Sequence, residues 1–243
     1  MTERRRHRGP HPKDAQLFSQ AALPVLRSAV GDLSWLLSRG YPLRASLALV
    51  GNRDGLPERQ RQAVRRCACS DDQRAERRAR NASPETMPRA PVWIDGFNLL
   101  TTIEAALGGG VLLLARDGAL RDMASMHGSY RPVEETRPAI AAIARVLEDR
   151  QVEHCRWLLD APVSNSGRLA TMLRDFAAEH DQPWMVEVVH DPDKVLVAAP
   201  VDVLVASADS QIMDGAPRTW QLARETVEGM RPTGWILDLA SEG

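Results

Sequence analysis

The sequence predicts an α/β domain, built on a mostly parallel sheet with flanking helices, preceded by a small all-α basic domain. From residue 92 onward, short apolar runs typical of buried strands alternate with segments of helical periodicity. This alternation is the pattern of a parallel sheet covered by helices on both faces. Before residue 82 the apolar residues recur only at helical spacing, which predicts helices alone.

The balance of charge differs between these two parts. Residues 1–90 contain 18 Lys and Arg against 9 Asp and Glu, whereas residues 91–243 contain 13 against 23. A basic region is attracted to polyanions, and an acidic region with clustered carboxylates suits cations. The formal charge of −1 for the whole chain therefore conceals two halves with opposite electrostatic roles.

The first half divides into a tail, a helical domain and a linker. Residues 1–12 are basic and contain proline, which predicts a flexible basic tail. Residues 13–81 form the all-α basic domain, with helices predicted at residues 14–30, 33–37 (with Asp32 as N-cap), 43–50, 56–70 and 71–80. Residues 82–91, ASPETMPRAP, contain three prolines and predict a linker to the α/β domain at residues 92–243.

Arginines are concentrated in the last two of these helices. Few acidic residues lie among them, so their charge is not neutralised locally. They predict a surface that contacts nucleic-acid phosphates, and a solvated helix face is the alternative explanation. The candidate nucleic-acid-binding residues are Arg59, Arg61, Arg65, Arg66, Arg77 and Arg78.

The second half begins with a buried strand at residues 92–94. Apolar runs on both sides of three glycines at residues 108–110 then predict a β-hairpin formed by residues 99–107 and 111–115. The remaining predicted elements are helices at residues 138–150 and 169–176, strands at 157–160, 184–189 and 202–208, a short helix after 210, a helix around 220–227, and a strand at 235–239.

Three of the predicted strands run into an aspartate: Asp95, Asp160 and Asp209. Ligands bind at the carboxyl edge of open α/β sheets, so these carboxylates converge there if their strands are parallel neighbours. For any single aspartate, a turn residue or a helix N-cap is the simpler explanation, and Asp209 precedes a predicted helix. Three in the same position are harder to explain in this way.

Carboxylates that converge need a cation or a proton. Two of them about 4 Å apart repel by roughly 4 kcal/mol at an effective dielectric constant of about 20. Because the ligands are hard oxygens, with neither His nor Cys among them, Mg²⁺ or Mn²⁺ is the expected ion. Such an ion can activate water and stabilise charge on a phosphodiester oxygen.

Three motifs carry a resemblance to a known group of enzymes. VWIDGFNLL, from Val92, resembles the opening strand of PIN-like and NYN-type metal-dependent ribonucleases. DAPVSNSG, from Asp160, is similar to the middle acidic element of the NYN type, and VLVASADSQIMD, from Val203, resembles their late strand ending in Ser/Thr-x-Asp. The helical half, through DLSWLLSRGY and LALVGNRDGLPERQRQAVRR, resembles a helical domain of uncharacterised bacterial and archaeal proteins that carry such a PIN-like half.

This resemblance implies a set of site residues. Asp95, Asp160 and Asp209 would be catalytic metal ligands, Asn98 would orient the site, and Asp214 would join through a water. A fourth acidic ligand stays open, with Asp117, Asp122, Glu134 and Glu135 as candidates. The glycine hairpin departs from an ordinary PIN domain, in which a helix directly follows the first strand.

Together these observations predict a divalent-metal-dependent endoribonuclease, with Mg²⁺ or Mn²⁺ as cofactor and a helical module that holds RNA. A non-catalytic RNA-binding or regulatory protein with a degenerate PIN-like site is one alternative. A metal-dependent phosphohydrolase acting on small phosphates is another. Phe97 stands where a haloacid-dehalogenase-type site has its second aspartate, which counts against that form of the last alternative.

Cysteine usage and hydropathy predict a cytoplasmic protein. Cys67, Cys69 and Cys155 lack the paired spacing of a disulfide framework or a zinc knuckle. The basic N-terminus is not followed by the apolar core of a signal peptide, and no run of about 18 apolar residues occurs. The sequence thus predicts no membrane partner, and a homo-oligomer is left as an open option.

Overall fold

A computed structural model describes residues 7–124, 130–230 and 235–240, and its N-terminal part is helical. The helices there are α1 (Asp14–Leu17), α2 (Leu23–Ser38), α3 (Leu43–Arg53), α4 (Glu58–Cys67) and α5 (Asp71–Arg80). Ser70 begins α5 with a reciprocal capping box to Gln73. The break predicted at Asp32 does not occur, because this aspartate lies on the exposed side of a continuous α2 and pairs with Arg53.

Two sheets follow in the described part of the chain. The strands are β1 (Val92–Asp95), β2 (Val111–Leu114), β3 (Leu120–Asp122), β4 (Cys155–Asp160), β5 (Trp184–Val189), β6 (Leu204–Ala206), β7 (Thr219–Trp220) and β8 (Trp235–Asp238). The larger sheet has the order β5-β4-β1-β6-β7, and all its pairs are parallel. The chain leaves β1 toward β4 and β5 and later returns to its other side as β6. The carboxyl end of β1 is therefore a topological switch point.

Helices cover both faces of this sheet, as the alternation of patterns predicted. They are α6 (Gly96–Leu107), α7 (Thr136–Asp149), α8 (Ser166–Glu179), α9 (Pro192–Val197), α10 (Ser210–Gly215) and α11 (Leu222–Gly229). Ile94 and Trp157 point into a core with α6, α7, α8 and α11, while Leu158 and Val205 point into one with α9 and α10. The helix predicted around residues 220–227 begins only at Leu222, because Trp220 belongs to β7.

The smaller sheet joins the two halves of the chain. Its order is β3-β2-β8, with β2 antiparallel to β3 and parallel to β8. Leu113 and Leu237 from this sheet share one buried core with Leu26 and Leu33 of α2. The helical part therefore packs directly on the α/β part.

The N-terminal tail and the linker also make contacts. Arg8 Nε donates to Oε2 of Glu104, a fully buried carboxylate in α6, at 2.5 Å. This contact holds Arg8, which was predicted to belong to a flexible tail, and residues 1–6 lie outside the described residues. In the linker, Ala82 N donates to Thr219 O at 2.8 Å, and Met87 packs against the main core.

The hairpin predicted around the three glycines is wrong, because residues 96–107 form α6. Ten of its twelve residues are buried, among them Thr101, Thr102 and Glu104, so α6 lacks the exposed polar face that usually marks a helix. The glycines end this helix: Gly109 has φ +79°, and Gly110 N donates to Ala105 O at 2.7 Å, which is a Schellman closure. A helix thus follows β1 at once.

Among the helices in the described ranges, none combines the length and apolar composition that crossing a bilayer requires.

Candidate metal-binding groove

Asp95 lies at the switch point, where β1 ends and α6 begins. It is the N-cap of α6, and its Oδ1 accepts a hydrogen bond from Asn98 N at 3.4 Å. Gly96 allows this tight start, because a Cβ at that position would lie 2.5 Å from Leu159 Cδ2 and 3.1 Å from Leu158 O. The Asp-Gly pair therefore presses the start of α6 against β4 and holds the carboxylate at the sheet edge.

Asn98 and Ser207 connect Asp95 to the loop after β6. Ser207 Oγ donates to Asp95 Oδ2 at 2.8 Å and accepts from Asp209 N at 3.0 Å. Ala208 N donates to Asn98 Oδ1 at 2.9 Å. Asp209 also caps α10, since its Oδ1 accepts from Gln211 N at 2.8 Å. Asn98, which was predicted to orient the site, thus holds the loop that carries Asp209.

Asp160 ends β4, next to β1 in the sheet. Its Oδ1 is buried and has no hydrogen-bond partner among the described residues. Burial raises the pKa of this carboxyl, and the negative charge of Asp191 raises it further. A buried carboxylate oxygen without a donor is one of the few polar atoms of this kind in the described chain, and it needs an explanation.

Two aspartates that were not predicted as site residues line the same groove. Asp191 caps α9, with its Oδ1 accepting from Lys194 N at 3.1 Å, and Asp193 lies in the first turn of that helix. Asp191 follows β5 just as Asp160 ends β4, so the rule used for the other three strands would have found it.

The carboxylates influence one another electrostatically. Burial is the main cause that raises the pKa of Asp95 from 3.8 to about 7; the hydrogen bond from Ser207 opposes the rise, and the charges of Asp193 and Asp209 add to it. Burial also raises the pKa of Asp193, followed by the charges of Asp209, Asp191 and Asp160. The aspartates of four separate segments thus share one electrostatic environment.

The aspartates form one wall of a cavity of about 1000 Å³ between the sheet edge and the helical part. The part of the wall that α4 forms includes the exposed Arg65 and the half-buried Arg66, together with Glu58. Arg66 is anchored by its NH2, which donates to Ala124 O at 3.1 Å, and by its NH1, which donates to Asp122 O. A groove with an acidic and a basic wall is suited to a cation bound together with a polyanion.

Most of the other candidate arginines have structural roles instead. Arg59 binds the fully buried Asp14 through Nε at 2.5 Å and NH2 at 2.8 Å. Arg61 donates to Leu56 O at 2.7 Å and supports the turn before α4. Arg77 is buried. Because of these contacts and this burial, Arg59, Arg61 and Arg77 are not free phosphate ligands. Arg78 is exposed and is not among the described residues that line the groove.

Asp117 and Asp214 do not offer free carboxylates, which corrects their prediction as metal ligands. Arg77 binds Asp214 through Nε at 2.6 Å and NH2 at 2.9 Å, and its NH1 binds Asp117 at 2.6 Å. Arg121 binds both oxygens of Asp117 at 2.9 and 2.7 Å. Guanidinium groups therefore occupy the positions that a cation would need.

The three other candidates for the fourth acid lie in different places. Asp122 lines the groove, and its Oδ2 accepts from Thr102 Oγ1 at 2.9 Å. Glu134 and Glu135 lie beside His7, at 3.3 and 2.7 Å from its ring nitrogens. Of these four candidates, Asp122 alone lines the groove. The unpredicted Asp193 also lines it, and its charge contributes to the raised pKa of Asp95.

The groove fits Mg²⁺ or Mn²⁺ by chemistry but does not enclose an ion. Within the described ranges, no group of three or more His, Cys, Asp and Glu side chains is close enough to hold one directly. Mg²⁺ commonly keeps several waters and is bound by one or two carboxylates plus substrate phosphates. The unpaired Asp160 oxygen and the raised pKa of Asp95 suit such an open site.

Comparison with known proteins places the chain in a family. The family model described as "Domain of unknown function (DUF5616)" matches residues 84–225, more than half of the chain. The chain belongs to this family. A shorter match, to "Protein of unknown function (DUF434)", covers residues 25–80. An uncharacterised protein of Methanocaldococcus jannaschii, MJ0935, is 29% identical over 150 residues, which span 62% of this chain and 72% of that protein.

The groove lies between the two matched regions. The DUF5616 region contains Asp95, Asp160, Asp193 and Asp209, and the DUF434 region contains α4 with its two groove arginines. No solved structure matches the chain. Neither family description names an activity, and a fold alone does not specify one.

Proposed function

We propose that the protein is a divalent-metal-dependent endoribonuclease that hydrolyses a phosphodiester bond of RNA bound in the groove. The observation that supports this proposal best is the position of the aspartates. Asp95, Asp160, Asp193 and Asp209 come from four separate segments and line one groove at the carboxyl edge of the sheet. The parallel sheet, its switch point at β1 and the helix that directly follows β1 also support a PIN-like assignment.

Each group of side chains would have a separate role. One or two of the four aspartates would bind the cation directly and the others through its waters, and the ion when bound supplies Lewis-acid activation of water and stabilisation of charge on the phosphate. Asn98 and Ser207 keep Asp95 and the Asp209 loop in register through hydrogen bonds of 2.8 to 3.0 Å. Arg65 would bind a phosphate beside the scissile bond, and Arg66, which is held by Asp122 O and Ala124 O, would add positive charge to the groove. The three cysteines are buried and free, which suits a reducing compartment such as the cytoplasm.

One observation favours a second candidate, a non-catalytic RNA-binding protein. In the described chain the acidic side chains do not come close enough to enclose an ion, which is the state expected of a degenerate site. The two candidates differ in what the divalent ion does. A protein that holds RNA only through arginines binds it equally well in EDTA and does not cleave it, whereas the proposed enzyme cleaves RNA only with a divalent ion.

The proposal is tested by incubating the purified protein with a mixed-sequence, end-labelled RNA in Mg²⁺, Mn²⁺ or EDTA. We expect internal cleavage with either ion and none in EDTA. Uncut RNA under all three conditions, combined with metal-independent binding, would support the RNA-binding candidate instead. A matched DNA oligonucleotide and a small phosphate ester, both left intact, would show that the substrate is RNA.

Replacing Arg65 by Gln is expected to weaken RNA binding several-fold and to lower the salt dependence of affinity by about one phosphate contact. Arg65 is exposed on the basic wall of the groove, so its loss leaves the fold undisturbed. Arg78→Gln is the matched control, because Arg78 is exposed on the neighbouring helix but does not line the groove. Titrations at two salt concentrations that give the same slope for both variants and the parent would contradict the assigned role.

A further inference from the structure

The loop that carries Asp209 is held from two sides at a single residue, Ala208. Its N–H donates to Asn98 Oδ1 at 2.9 Å, and its carbonyl accepts from Arg121 Nε at 2.8 Å. Ala208 itself is buried and packs with Ala119 and Met213. The peptide before Asp209 is therefore fixed between a groove residue and a buried arginine.

Arg121 is in turn tied to the helical part of the chain. Both oxygens of Asp117 accept from Arg121, and Asp117 Oδ2 also accepts from Arg77 NH1 at 2.6 Å. These three side chains are 8%, 1% and 2% exposed in the order Arg121, Asp117 and Arg77. Arg77 also binds Asp214 of α10, donating to its carboxylate through Nε at 2.6 Å and NH2 at 2.9 Å. A buried relay thus runs from α5 through the β2–β3 turn to the Asp209 loop.

The relay arginines border the groove but are not suited to bind substrate. Arg121 already donates through Nε, NH1 and NH2, and Arg77 does the same to Asp117, Asp214 and Ser210 O. Their charges are balanced by two buried or half-buried carboxylates. Only the planar guanidinium fork can make these contacts together, so Lys is not an equivalent replacement.

We propose that Arg121 and Arg77, joined by Asp117, are positioning residues for the cation site in the groove. They fix the peptide that presents Asp209 to the other aspartates. The helical part would then complete the cation site, in addition to holding RNA. This inference rests on the proposed function, because it assumes that Asp209 faces a bound divalent ion.

The test compares Arg121→Lys with the parent in two measurements on the full chain. Calorimetric titration with Mn²⁺ alone should give a Kd that is about 10- to 100-fold higher in the variant, the range seen when groups behind metal ligands are changed. Hydrogen–deuterium exchange should become faster in residues 204–215. Arg59→Lys is the matched control, because it weakens another buried Arg–Asp pair, with Asp14, outside this relay. It should keep the parental Mn²⁺ affinity.

The outcomes separate this inference from the proposed function. A parent that binds no Mn²⁺ would overturn both. If the parent binds Mn²⁺, the inference alone is overturned when Arg121→Lys binds Mn²⁺ with the parental affinity. This holds whether the variant also keeps the parental exchange rate or is merely less stable. If Arg121→Lys does not fold, Arg77→Lys carries the test, since Arg77 contacts Ser210 O and Asp214 directly. Unchanged Mn²⁺ affinity in that variant would overturn the inference as well.

Discussion

Asp95→Asn is expected to reduce Mg²⁺- or Mn²⁺-dependent RNA cleavage by about a thousandfold or more and to leave the fold intact. A bound ion contributes several kcal/mol to stabilising the transition state, and each 1.36 kcal/mol corresponds to about tenfold in rate. Asp95 is buried and lies at the switch point between β4 and β6. Rates are to be measured at saturating RNA and ion.

The stability of the variant provides an independent check. Burial opposes the ionised form of Asp95 and raises its pKa to about 7, so removing the charge should not lower the free energy of unfolding without cation. The amide oxygen of Asn can still accept from Ser207. Asp202→Asn, an exposed aspartate at the amino end of β6, is the control and should keep full activity. Equal increases in melting temperature on adding Mn²⁺ to the parent and to Asp95→Asn would exclude Asp95 as a ligand.

The sequence predicted the core of the fold and the centre of the groove for one physical reason. A buried parallel strand is a short, continuous apolar run, and the polar residue that ends it must emerge at the carboxyl edge of the sheet. Asp95 and Asp160 end β1 and β4, and Asp209 follows β6 by three residues. The motif order could therefore place these three at one edge before any strand order was known.

Elements whose environment is set by distant parts of the chain were predicted less well. Helix α6 is buried on nearly all sides, so its apolar run followed by glycines was indistinguishable from a hairpin strand. The arginines of α5 were predicted to form a phosphate-contacting surface or a solvated helix face, yet Arg77 is buried and binds partners 40 and 137 residues further along the chain. Spacing within one helix contains no information about such partners.

The same long-range pairing leads to the largest expected effect on stability, that of Asp117→Asn. This change leaves the guanidinium groups of Arg77 and Arg121 buried without the carboxylate between them, and breaking a buried pair from one side costs about 3–5 kcal/mol. Urea denaturation of the full chain measures the loss. The exposed pair of Asp32 with Arg53 supplies the control, because Asp32→Asn should cost no more than about 1 kcal/mol.

The stability contribution of Asp117 should also depend on pH in a defined direction. Burial alone would raise its pKa, but the charges of Arg121 and Arg77 outweigh burial and lower the pKa from 3.8 to about 2. A lowered carboxyl pKa stabilises the folded state above the unfolded value, so the contribution is complete above pH about 4 and is lost as the pH falls toward 2. The difference in unfolding free energy between the parent and Asp117→Asn should therefore shrink over that interval in urea titrations. Two results would show that the Asp117 carboxylate does not hold the relay together. One is a difference in unfolding free energy that stays constant from pH 5 to pH 2, and the other is a loss of unfolding free energy at neutral pH no larger than that of Asp32→Asn.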